Sequence, residues 1–302
     1  MRKVLHLPSG RGRLLIATDL QGNLRDLRAM AARFQRALAE EPETHLLFAG
    51  DLVHGPMLAL SEWQPWLGEF YVDASILVFE ELTALMAAYP GRVHALLGNH
   101  EHGHVGGFRT AKFFLDEVDA LESRMTRDTV GRFRRFCRSL PLVAVSAEAG
   151  VIVTHAAPAA QITGPDDLEA LSYDVARGLE PSIEAALGIP VLGPLLWARH
   201  CPADTARGFI RALLGRDTGF VAYGHDVVPE GWQIFGDGEQ ICVSTSFGCF
   251  DYKKAYLDLD LSRRYESALD LREGVEIQRL FPDAVAEEPR DRSARRRLLH
   301  TL

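Results

Sequence analysis

A chain of 302 residues, 47% of them hydrophobic and 25% charged, has the composition of a globular protein with one large core or two modest ones. Its net charge of −8 is spread along the chain, which argues against a general nucleic-acid surface, although a local cluster of bound cations would still attract phosphate. Four cysteines without C-x-x-C spacing, a start without the apolar run of a signal peptide, and no stretch of ~20 apolar residues together predict a soluble cytoplasmic protein with no membrane partner.

Along the chain, Leu14 to Thr18 is an apolar run of strand length. It leads into the polar segment Asp19-Leu-Gln-Gly-Asn23 and then into Leu24 to Met30, whose apolar residues recur at three and four, so strand, loop and helix are predicted. The same pattern returns at Leu46 to Ala49, ending in Gly50-Asp51, and at Val93 to Leu97, ending in Gly98-Asn-His-Glu101. A helix from about Val72 to Ala88, closed by Tyr89-Pro-Gly91, makes the crossover between them. The segment 55–71, with Trp63 and Trp66, stands out as an insertion and a candidate lid. After residue 140 the apolar runs come closer together, at 142–145, 151–154, 220–223, 231–235, 240–243 and 255–259, with a helical interval near 181–187. These runs read as a second sheet. The charged stretch from residue 282, rich in arginine from Arg290 to Arg297, reads as a solvated tail. The expected organisation is a single domain over 1–281 followed by that tail.

Side chains at the carboxyl ends of α/β strands converge outside the sheet edge, where ligands generally bind. Asp19, Asp51 and Asn99 each follow a strand and offer oxygen, and His155 and His225 follow strands of the second half. A lone aspartate in such a place usually caps a helix, but five donors at five strand ends point to a shared metal site.

Asp19-Leu-Gln-Gly-Asn, Gly50-Asp-Leu-Val, Gly98-Asn-His-Glu, His155, Leu196-Trp-Ala-Arg199 and Tyr223-Gly-His225 resemble the motifs of the calcineurin-type metallophosphoesterases. They look most like those of the bacterial branch of the serine/threonine phosphoprotein phosphatases. The resemblance implies a four-layer α/β/β/α sandwich of mixed sheets flanked by helices. It also implies two divalent metal ions, manganese first and iron or zinc next. Carried over residue by residue, Asp19 and Gln21 serve the first metal, Asp51 bridges both, and Asn99, His155 and His225 hold the second. A metal-bridging hydroxide is then the nucleophile, His100 protonates the leaving oxygen, and Arg199 holds phosphoryl oxygens. The implied activity is hydrolysis of phosphoserine or phosphothreonine in proteins, with a small phosphoester as the other substrate class. The alternatives are a dinucleoside polyphosphate hydrolase and a degenerate relative that binds phosphate without turnover.

Three positions depart from the family pattern. Gln21 stands where the first motif has histidine, a better donor to manganese, iron or zinc. His54 and Gly55 stand where the second motif has aspartate and arginine. The carboxylate that orients the catalytic histidine is therefore missing from its usual place, and so is a second phosphate-binding arginine. His54 offers only an imidazole there. Arg109 is one nominee for the missing arginine. His102 and His104 are expected to serve neither metal nor substrate. The tryptophans are expected to fill core or lid contacts, and Cys201 and Cys249 to be inert.

Overall fold

The computed structural model describes residues 2–8, 10–112, 115–176 and 179–286. From residue 287 on, the expected charged tail lies outside the described residues.

The chain opens with β1 (Val4–His6), β2 (Arg13–Ala17), α1 (Leu24–Glu40), β3 (Thr44–Phe48), α2 (Ser75–Ala88), β4 (Val93–Ala95) and the single turn α3 (Asn99–His102). A small hairpin follows, β5 (Ala111–Lys112) with β6 (Leu115–Asp116), and runs into α4 (Glu117–Glu122) and α5 (Arg127–Ser139). Next come β7 (Val143–Ser146), β8 (Val151–Thr154), α6 (Pro165–Glu169), α7 (Ile183–Leu187), α8 (Leu192–Trp197), α9 (Ala203–Leu214) and β9 (Phe220–Tyr223). The chain continues with β10 (Trp232–Phe235), β11 (Gln240–Val243), β12 (Ala255–Asp260) and β13 (Ile277–Arg279).

Two mixed sheets result. One has the order β13-β12-β2-β3-β4, the other β1-β7-β8-β9-β11-β10. Strand alternation explains how they stack. Leu14 and Ile16 of β2, Val151 and Val153 of β8, and Phe220 and Ala222 of β9 share the core between the sheets. Their neighbours Leu15, Ala17, Ile152 and Val221 face outward into a core covered by helices. Strands buried on both faces must be apolar throughout, which is why they read as runs rather than as alternation.

On the outer face of the first sheet, α1 buries Leu27, Met30, Phe34 and Ala37, each large side chain contributing about 1.5–3 kcal/mol. Asn23 caps the helix by accepting from the Asp26 amide at 3.2 Å. Asp26 is itself buried and takes the Lys254 ammonium at 2.7 Å, which ties the start of α1 to the loop before β12. The opposite sheet is covered in part by α8 and α9, through Leu192, Leu195, Phe209 and Ile210.

Two assignments change. The run at 255–259 was expected in the second sheet, but β12 lies antiparallel to β2, with Leu257 opposite Ile16, in the first sheet. The second sheet instead gains β1, parallel to β7, a strand too short to read from its sequence. Among the described residues no helix is long and apolar enough to cross a membrane.

Candidate active site

The parallel pairing of β2, β3 and β4 sends their carboxyl ends out of one edge of the sheet, and β8 and β9, also parallel, do the same for the other. Asp19, Gln21, Asp51 and Asn99 leave the first edge, and His155 and His225 leave the second. The structure brings all six together and buries nearly all of them; His225 alone is partly exposed.

The loops reach this arrangement through unusual backbone. Asp19, Gln21, Asp51, His54 and His225 have φ of 49°, 41°, 52°, 70° and 65°, a left-handed region that side chains other than glycine enter at a cost and that is concentrated at functional sites. Gly50, at φ 91°, and Gly98 allow the second and third loops to touch. A Cβ on Gly98 would collide with the backbone nitrogen and Oδ1 of Asp51, and one on Gly50 would collide with Gly98 and His155. Glu101 locks both loops. Its two oxygens accept the amides of Asp51 (2.9 Å), Leu52 (2.8 Å), Val53 (3.2 Å) and Gly98 (3.1 Å).

At the centre, the end of the Asn99 amide that faces the cluster lies 2.9 Å from His155 Nε2, 3.0 Å from His225 Nδ1 and 3.3 Å from each Asp51 oxygen. With oxygen in that place, carboxylate, amide and imidazole lone pairs meet at one point, an arrangement that a cation stabilises. The separations are those of donors around an ion at about 2.0–2.2 Å. The histidines are prepared for it. His155 Nδ1 lies 2.9 Å from the Ala49 carbonyl, so Nδ1 carries the proton and Nε2 presents its lone pair. Burial pushes both His155 and His225 below the ordinary histidine range, towards the neutral form that a metal takes. Asp51, His155 and His225 form one of two groups of carboxylate and imidazole donors close enough to share an ion among the described residues; His54, His100 and Glu117 form the other, and Asp19 belongs to neither. Both Asp19 oxygens accept the His225 amide at 3.0 Å. The donor set thus fits a divalent cation best at the Asn99 side and less completely at the Gln21 side.

His100 occupies the first turn after Gly98. Its amide donates to Asp51 Oδ1 at 3.2 Å and its Nε2 stands 3.6 Å from Asp51 Oδ2. Its Nδ1 lies 2.9 Å from Glu117 Oε2 and 3.1 Å from His54 Nδ1. Glu117 is invisible to a motif reading. It lies in an acidic stretch, and only the hairpin β5–β6 carries it to the site, where its amide donates to the Thr110 carbonyl at 3.1 Å and the Thr110 hydroxyl bonds its Oε2. Behind it, His54 Nε2 meets His104 Nε2 at 2.9 Å, and His104 Nδ1 meets Glu122 Oε1 at 2.8 Å. His102 points away from the site, its Nε2 at 2.8 Å from the Tyr173 carbonyl.

Above the cluster opens a pocket of about 400 Å³ lined by Asp19, Gln21, Asp51, Asn99, His100 and His225 at its base, with Phe108, Arg109, Trp197, Arg199 and Phe247 among its walls. Arg199 is anchored by Asp226 Oδ1 at 2.5 Å and is 55% exposed. Arg109 also reaches the pocket and is paired with Asp116 at 2.9 Å. Trp197 packs against the core and also stands edge-on to His225, ring centres 6.2 Å apart, so it joins core and site, and Trp66 is 64% exposed. The cysteines are free, and burial pushes all four thiols up, away from the thiolate form.

A four-layer sandwich that gathers carboxylate, amide and imidazole donors at strand ends of both sheets is the architecture of a metallophosphoesterase. Residues 12–229 match the calcineurin-like phosphoesterase family, and the chain belongs to that family. Its fold is similar to that of a protein serine/threonine phosphatase from Saccharomyces cerevisiae, 15% identical, with a TM-score of 0.58 over 95% of this chain and 86% of that one. It is likewise similar to a cold-active protein-tyrosine phosphatase of a psychrophilic Shewanella species, 15% identical, with a TM-score of 0.51 over 86% and 78% of the two chains.

Proposed function

We propose that the protein is a metal-dependent phosphomonoesterase acting on phosphoserine or phosphothreonine in proteins, with two divalent ions, manganese first. The observation that carries this reading is the convergence of Asn99, Asp51, His155 and His225 on one point, beneath a pocket that His100 and Arg199 also line. Asp51, Asn99, His155 and His225 would hold one ion, and Asp19, Gln21 and Asp51 the other. Bound there, the ions would supply Lewis acidity and charge for the phosphoryl oxygens. Arg199, anchored at Asp226, offers its guanidinium fork to the phosphoryl group and stabilises the charge that develops there. His100 Nε2, facing Asp51, gives its proton to the departing oxygen. Residues 55–71 are the proposed lid of a single domain. They are tied down where Glu69 donates to the Cys249 carbonyl at 3.0 Å and Tyr71 donates to the Gln21 carbonyl at 2.9 Å.

The aromatic walls formed by Phe108, Trp197 and Phe247 favour a second reading, hydrolysis of a dinucleoside polyphosphate, because bases stack on such surfaces. The test is turnover of a phosphoserine peptide, an aryl phosphate and diadenosine tetraphosphate by metal-stripped protein resupplied with manganese. The leading reading expects the first two to be hydrolysed and His100→Ala to slow them by about 10²–10⁴-fold. Turnover of the dinucleotide alone would favour the second reading. A folded, manganese-loaded protein inert towards all three would make it a phosphate-binding relative without turnover.

A further inference from the structure

Glu117 and the buried chain behind it supply what the second motif lacks. Glu122 is gripped by both arms of Arg134, at 2.8 and 2.6 Å. Although burial alone would raise its carboxyl, the bonds from His104 and Arg134 hold it at about 2. It is therefore an acceptor, and His104 Nδ1 carries the proton between them. A neutral His104 then leaves Nε2 bare, so the proton across the 2.9 Å contact belongs to His54 Nε2. A neutral His54 protonated on Nε2 leaves its Nδ1 bare, 3.1 Å from His100 Nδ1 and 3.3 Å from Glu117 Oε2. Burial holds both His54 and His104 below the ordinary histidine range, which favours these neutral forms. Two bare nitrogens would repel at 3.1 Å, so His100 Nδ1 carries the hydrogen, placed between His54 Nδ1 and the nearer and charged acceptor, Glu117 Oε2 at 2.9 Å.

We infer that Glu117 is the positioning residue of His100, acting from the first turn of α4 just after the β5–β6 hairpin in place of the carboxylate absent at His54, and that His54, His104 and Glu122 fix the tautomer. The inference rests on His100 being the proton donor. In that step the bond from phosphorus to the leaving oxygen breaks with its electron pair passing to that oxygen. The proton on His100 Nε2 moves to the same oxygen, and the water that supplies the entering oxygen returns a proton to Nε2. The Nδ1 proton stays, and Glu117 accepts its hydrogen bond throughout and holds the ring in place.

The experiment uses the full chain with manganese and a series of aryl and alkyl phosphates of rising leaving-group pKa, comparing wild type, Glu117→Gln, Glu117→Asp and His100→Ala. Glu117→Gln is expected to lower kcat about 10- to 100-fold on the poorest leaving groups, with KM and bound manganese unchanged. Its rate should fall with leaving-group pKa nearly as steeply as that of His100→Ala, and adding it to His100→Ala should cost little more. Glu117→Asp should recover part of the loss. If Glu117→Gln does not fold, Thr110→Val, which removes one bond to the same oxygen, is read in the same way. A steep dependence in His100→Ala with a wild-type dependence in the Glu117 variants would overturn the positioning role alone. No steepening in His100→Ala would instead overturn the assignment of His100 as donor. A third bound metal equivalent that vanishes in Glu117→Gln would also overturn the inference, because the cluster would then be an ion site.

Discussion

Five of the proposed site and flanking residues sit at positive φ, each at a cost of about 1–3 kcal/mol, and Glu101 is the side chain that holds one of their loops, that of Asp51 and His54, against the Gly98 loop. Glu101→Gln keeps one acceptor oxygen and turns an amide nitrogen towards backbone N–H groups that now have a carboxylate partner. We expect a loss of about 2–4 kcal/mol by urea denaturation together with weaker manganese binding. Gln21 is the other single residue with a clear expectation. Gln21→His should tighten the metal proposed at the Asp19–Gln21 side by about tenfold in a calorimetric titration, since imidazole suits these ions better than an amide. At this scale Asp19, Asp51, Asn99, His155 and His225 were legible because each follows an apolar run by a few residues. Glu117 was not, because its place is set by a hairpin fold-back that leaves no periodicity in the sequence.

At the scale of elements, the link between α1 and the β12 loop is the most exposed to test. Lys254 and Asp26 are both buried, at 2.7 Å, and removing one member of such a pair strands the other. Lys254→Met should cost about 3–5 kcal/mol in chemical denaturation, and adding Asp26→Leu should restore part of it. The strands themselves could be read from sequence because burial on both faces demands unbroken apolar runs. Sheet membership could not: the run 255–259 has the same composition whether it pairs with β11 or with β2, and only the antiparallel return alongside β2 decides. The short helices α4, α6 and α8 escaped the reading for a related reason, being a turn or two long and held by tertiary packing rather than by an amphipathic period, whereas the helical interval near 181–187 matches α7.

For the molecule as a whole, acid should be a sharper stress than base. His102 is buried, and burial holds it at about 4, below its ordinary 6.5. Its neutral form favours the fold, so its contribution is complete above pH 6.5 and is lost as the pH falls to 4, up to about 3 kcal/mol. Metal-free His102→Gln, which still donates to Tyr173, should show a shallower fall in unfolding free energy between pH 6.5 and 4.

Donors from β2, β3 and β4 belong to one sheet and those from β8 and β9 to the other, so an ion shared by Asp51, Asn99, His155 and His225 is a rivet between two halves of the molecule. The unfolded chain has no such arrangement, and binding free energy is therefore folding free energy. At a free concentration one hundred times the dissociation constant it amounts to about 2.7 kcal/mol. Manganese should raise the melting temperature of the stripped protein in proportion to the logarithm of its concentration, and Asp51→Asn should abolish that dependence. The supply of metal would then govern how long the protein survives as well as what it does.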